Sequence, residues 1–382
     1  MIIVAVLAGL VLGRGGVGVI EPGATSGFVA TAAVIALIVL LFRDGIEVER
    51  EMLQTTWHLP LRKLVLAMPI TAALVACAAH VLTDLSWTEC FLIGALLSPT
   101  DPVLSSSVVT NVRVPPLIRH SLNLESGLND GLALPAVLAF AGALDASQHG
   151  FVWWKFVLQD VSVGLVTGLL VGYAGSRLIP RGRQMPAFAM AVAFVAYGLA
   201  VLPPHGNGLI STFVCAIVLG VRRPDIRAGF EGRSEDLIVV VKLGIFFVFG
   251  TLLTLSGLFH DGLAAIALVA FLLLAARPAA VFAALAGTRT DVATRAFMSW
   301  FGPKGVATMT FALLVLAKSG IAERERIFDI AALAVLVSII LHGITDAPGA
   351  AWIAARAERE EHRGDLERDI DGLGRPSAGG AA

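Results

Sequence analysis

The stretch NLESGLNDGLALP, residues 123–135, sets Glu125, Ser126, Asn129 and Asp130 in a run otherwise rich in Leu, Gly and Ala. At about 100° of rotation per residue these four lie within about 140° of one another, so they share one side of a helix. A second polar interruption, LLSPTDPVLSS at 96–106, holds Thr100 and Asp101 between Pro99 and Pro102. Carboxylates in an apolar chain are costly unless they face a cavity or a partner. Asp and Asn oxygens, Ser and Thr hydroxyls and freed carbonyls are the ligands a small hard cation needs once it sheds water. Asp130, with Asp101, therefore reads as an ion site; the structural alternative is a protonated or paired carboxylate that only fixes helix packing. A carboxylate in an apolar cavity can also hold a proton near neutral pH and exchange it for a metal ion. One group would then bind H⁺ or a monovalent cation in turn.

The remaining charges have different roles. Arg277, in LLLAARPAAVF, lies at membrane depth and needs a partner, and Glu125 is the expected one in a structural ion pair. Lys304 sits in WFGPKGVATM, flanked by Gly302, Pro303 and Gly305. Two readings stand for it. It compensates the negative C-terminal ends of half-helices, as Asp101 would the positive N-terminal ends, or it lies in a wet cytoplasmic vestibule. Lys242, Asp160 and His342 are expected at span ends, and Asp44 and Glu47, after Phe42, in a loop. Cys77, Cys90 and Cys215 lack metal-ligand spacing and read as small buried core residues.

The elements that must carry these residues follow from composition. The 382 residues are 57% hydrophobic and 15% charged, and the mean hydropathy is +0.82. This predicts an all-α integral membrane protein, since a soluble domain is about 25% charged. A bilayer needs about 20 apolar residues per helix, and cutting where charges, Pro and Gly cluster gives about 12 transmembrane helices. Residues 1–353 form the membrane domain, and 354–382 a short polar tail expected to be disordered and cytoplasmic. The N-terminus has no basic region before its apolar run and reads as a first span, not a signal. Lys and Arg favour alternate connections by about three to one, which places both termini in the cytoplasm; Arg43, Arg50, Arg62 and Lys63 are assigned to the first of these loops. No basic patch suggests nucleic acid.

Spans 4 (88–111) and 11 (292–317) cannot be straight, because Pro removes a backbone donor and clashes with the preceding turn. Helix breaks at membrane depth are tolerated where they line a cavity or are buried in protein. A matching pair points to a transporter with two inverted five-helix repeats whose broken helices cross at the midplane.

SPTDPV at 98–103, ESGLND at 125–130, the lone Arg277 two spans before the end and GPKG at 302–305 together resemble the sodium/proton antiporters of the monovalent cation:proton antiporter superfamily. The resemblance covers nearly the whole chain in order and spacing. It implies a core that moves like an elevator, a dimerisation domain forming a homodimer, and an ion site at Asp130 with Thr100, Asp101, Ser126 and Asn129 around it. The Asn-Asp pair is similar to that of the electroneutral branch, implying one cation for one proton. Two departures stand out. Where the family often has an acidic residue in an F-E-x-G-L segment, FRDGI puts Arg43 there and Asp44 one later, and the family's Arg in GPRG is here Lys304.

The function expected is exchange of Na⁺, or alternatively Li⁺ or K⁺, for H⁺ by alternating access in the cell (inner) membrane, serving pH homeostasis. Gradients drive it, no P-loop is present and no cofactor is expected; the protein is not read as an enzyme. An intramembrane aspartyl protease would need a G-x-G-D segment and two unbroken Asp-bearing helices, and a serine hydrolase a G-x-S-x-G elbow. A passive cation channel is the closest rival.

Overall fold

The computed structural model describes residues 1–23, 27–52, 58–101, 106–146, 151–182, 185–233 and 235–373. Its elements are helices: α1 (Ile2–Leu12), α2 (Gly27–Met52), α3 (His58–Leu82), α4 (Trp87–Leu97), α5 (Ser106–Thr110), α6 (Pro116–Leu144), α7 (Trp153–Leu178), α8 (Met185–Val201), α9 (Gly208–Arg222), α10 (Pro224–Arg233), α11 (Glu235–Leu252), α12 (Leu255–Leu258), α13 (Gly262–Ala284), α14 (Val292–Trp300), α15 (Val306–Leu316) and α16 (Arg324–Leu373). Among the described residues six helices, α2, α3, α6, α7, α13 and α16, are long and apolar enough to cross a membrane.

The helices pack in two groups. One comprises α1, α2, α7, α8, α9 and α11; the other comprises α3 to α6 and α13 to α16. They meet where α2 lies against α6 and α15 and where α11 lies against α15. The polar face of α6 is therefore enclosed between the groups, and close packing of apolar helices surrounds it.

Both expected breaks are present. A capping box starts α4, with Ser86 Oγ accepting from the Glu89 N–H and Glu89 Oε2 accepting from the Ser86 N–H at 2.8 Å. It stops at Leu97, two residues before Pro99. In the other half Asp291 caps α14, which stops at Trp300 before Gly302 and Pro303, and the helix resumes at Val306. Pro102, the second expected breaker, lies outside the described residues.

Several expectations are corrected. The second span continues to Met52, so Asp44 and Glu47 are helical and not loop charges; buried Ile46 and Val48 keep the helix on its neighbours. Lys63 belongs to α3, not to a loop, and is fully buried. His342 is not at an interface. It is 1% exposed inside α16, which begins at Arg324 and continues past Pro348 into the polar segment expected from residue 354. Lys242 lies within α11, half-buried. Cys77 is exposed on α3, whereas Cys90 and Cys215 are buried. The short helix α10, whose mixed charges carry no span signal in the sequence, is held by buried Ile226 and Phe230.

Candidate functional site

The two unwound segments cross and bond to each other. The Asp101 N–H donates to Pro303 O at 2.8 Å. Asp101 Oδ2 accepts from the Val306 N–H, the first residue of α15, at 3.1 Å. In return Lys304, wholly buried, donates from Nζ to Ser98 O at 3.2 Å and Pro99 O at 3.0 Å, just past the end of α4. Each break sends its charge to the half-helix end of opposite polarity in the other. Gly305 permits the crossing, since a Cβ there would lie 2.5 Å from Asp101 Oδ2. Lys304 is thus not at a wet vestibule.

From α6, Asn129 Nδ2 donates to Thr100 O at 2.8 Å and to Thr100 Oγ1 at 2.9 Å, fastening the helix to the first break. Thr100, Asp101, Ser126 and Asn129 are all buried, and Asp130 is half-buried. Asn129 Oδ1 and Asp130 Oδ1 are buried oxygens that accept no hydrogen bond among the described residues. Buried acceptors without donors are rare, because the desolvation penalty is about 1–3 kcal/mol each. Two together beside a helix break form an oxygen-rich donor set suited to a hard cation.

Asp44 of α2 is the addition that sequence reasoning missed. It is 7% exposed, and its backbone carbonyl faces Gly127 of α6, less than a turn before Asn129 and Asp130. Arg43 bonds Asp44 Oδ1 at 3.0 Å and reaches Glu47 at 3.3 Å. The signal was available: a helical pattern extended past Phe42 brings Asp44 to the buried side.

Glu125, one turn before Asn129 on the same face of α6, is held by a different set of partners. Its Oε1 pairs with Arg277 Nη2 at 3.0 Å, and its Oε2 pairs with Lys63 Nζ. Arg277 also donates from Nε to Ser299 O at 3.0 Å, and any side chain at Gly302 would overlap its guanidinium. The expected pair is therefore a triad. Lys63 opens one π-helical turn, Lys63–Ala67, and Arg277 directly follows another, Leu272–Ala276. Such widened turns re-aim side chains by a fraction of a turn.

The sodium/hydrogen exchanger transmembrane family matches residues 1–352. The chain belongs to that family. Among proteins similar to this chain, the K(+)/H(+) antiporter NhaP of Alkalimonas amylolytica is 26% identical over 337 residues, covering 85% of this chain and 58% of the relative. The Na(+)/H(+) antiporter NhaG of Bacillus atrophaeus is 28% identical over 298 residues, covering 73% and 55%. The chain thus spans a little over half the length of these curated relatives. The sodium proton antiporter MjNhaP1 of Methanocaldococcus jannaschii, in its pH 8 structure, superposes with a TM-score of 0.81 at 20% identity over 92% of both chains, which shows a shared fold.

Proposed function

We propose that this chain is a secondary active transporter that exchanges a monovalent cation for a proton by alternating access, with Asp130 as the group the two ions share. The observation that carries the reading is the pair of buried acceptor oxygens, Asn129 Oδ1 and Asp130 Oδ1, beside a crossing whose own charges already answer each other's helix ends. With Asp101 and Lys304 so engaged, and Glu125 held by Arg277 and Lys63, Asp130 is left as the carboxylate for cargo. Thr100, Asp101, Ser126 and Asn129 supply the surrounding oxygens and hold the geometry.

A carboxylate that coordinates a cation cannot keep its proton, so entry of one ion expels the other. With one such carboxylate and Asn129 beside it, a single cation exchanges for a single proton and the cycle moves no net charge. Opposed movement of the two helix groups, sliding where α2 faces α6 and α15, exposes the site to each side in turn. The chain works in the cell membrane as a homodimer with both termini in the cytoplasm, in keeping with its loop charges.

The family description favours Na⁺. A second reading, K⁺ as the cargo, is favoured by the K(+)/H(+) antiporter relatives. Proteoliposomes with an internal pH dye, wild type or Asp130→Asn, challenged with Na⁺, Li⁺ and K⁺ with and without a clamped voltage, test both. Wild-type lumenal pH changes on cation addition, independent of voltage and absent in Asp130→Asn, are expected. Normal exchange by Asp130→Asn would sink the shared-site mechanism, and the ranking of ions names the cargo.

A further inference from the structure

One face of α16 reaches the backbone of both interrupted helices. Ser338, His342 and Asp346 are spaced by four residues, so they line one side of the helix. Ser338 Oγ accepts from the Lys304 N–H at 2.8 Å. His342 Nε2 donates to Trp300 O, the last residue of α14, at 2.8 Å, while its Nδ1 lies against Ser338, 3.1 Å from the hydroxyl and 2.8 Å from the carbonyl. Asp346 accepts from the Ser107 and Val108 N–H groups at 2.9 and 3.2 Å. All three side chains are buried. Beside them Thr345 Oγ1 accepts from the Trp300 indole at 3.0 Å.

These contacts differ in kind from the crossing. Asp101 and Lys304 tie break to break, but α16 stands outside both and bonds each of them to a single rigid helix. The first break is held downstream, at residues 107–108, and the second is held at its leading edge, residue 300, and within its gap, at residue 304. Such a shared frame sets the distance between Asp101 and Val306 and hence the place of Thr100 beneath Asn129.

We propose that Ser338, His342 and Asp346 are positioning residues that register the two breaks against each other and so set the affinity of the cation site. The proposal rests on the exchange function above. It predicts that loss of one contact on α16 is felt at the break that residue does not touch.

Three variants, Asp346→Ala, Asp346→Asn and His342→Gln, test it in detergent and in proteoliposomes. Asp346→Ala is expected to raise the apparent cation KM about tenfold, the effect of one or two lost hydrogen bonds, with the maximal rate within about threefold of wild type. Asp346→Asn, which keeps one acceptor oxygen, is expected to lie between. Hydrogen exchange is expected to speed up in peptides covering 300–306 as well as 106–110 after either Asp346 substitution, and His342→Gln to do the same from the other side. A wild-type KM in all three, or faster exchange only at the segment each residue touches, overturns the proposal. Should Asp346→Ala not fold, Asp346→Asn and His342→Gln decide it by the same two criteria. Should the wild type exchange no cation, the transport reading falls, and hydrogen exchange still judges the shared frame.

Discussion

Lys304 and Pro99 join the two interrupted helices: the Lys304 ammonium donates to the Pro99 carbonyl at 3.0 Å, across more than half the length of the chain. The same ammonium takes the Ser98 carbonyl at 3.2 Å, so the unsatisfied end of α4 rests on a buried positive charge. A helix that stops inside a membrane leaves carbonyls that no water reaches, and this contact is what makes the stop tolerable.

Lys304→Met removes the donor and keeps the apolar stem. It leaves two buried carbonyls unpaired and is expected to cost about 1–3 kcal/mol, read as a lower melting temperature of the purified protein, with cation-driven exchange lost in proteoliposomes. Unchanged melting and transport would show that water or another group already serves Ser98 and Pro99.

Glu125→Gln is expected to be more damaging, at about 3–5 kcal/mol, because it strands Lys63 and Arg277 as two buried cations. Adding Lys63→Met to Glu125→Gln should recover part of that loss. A double-mutant cycle on melting temperature measures the coupling, and additive effects would mean that the triad is not a unit.

Gly305→Ala inserts a methyl group within 2.5 Å of Asp101 Oδ2. The carboxylate must leave the Val306 amide, so a loss of about 1–3 kcal/mol and a sharp fall in exchange are expected. Wild-type rates from Gly305→Ala would show that the crossing has room to spare.

At the junction of α9 and α10, Arg223 hydrogen-bonds both oxygens of Asp225 at 2.7 Å and holds its carboxyl below the usual range. A depressed carboxyl stabilises the fold at pH above its unfolded value, about 4, and that contribution fades as pH falls through the lower folded value. Asp225→Asn should therefore melt slightly earlier than wild type at pH 6–8, and the gap should close as the pH drops below about 4. A gap independent of pH would assign the effect to packing.

The sequence by itself determined the parts that local physics controls. Hydropathy marked the apolar helices, Pro99 and Gly302–Pro303 marked the two interruptions, and the four-residue spacing of Glu125 and Asn129 marked a polar face on α6. Arg277 found Glu125 because a buried charge must have a partner and few candidates exist. Tertiary structure alone decided which atoms meet across distant segments. By sequence Lys63 reads as a loop residue, since hydropathy cannot tell a charge just inside a span from one just outside, and only the fold brings it to Glu125. Asp44 looked like a loop residue until α2 was seen to run past it and pack on α6. Ser338, His342 and Asp346 look ordinary along the chain, because the backbone groups they hold lie as much as 239 positions away. Side-chain type and period are local properties that a sequence carries directly. Hydrogen bonds to backbone atoms are blind to residue identity, so the fold must be in place before they can be found.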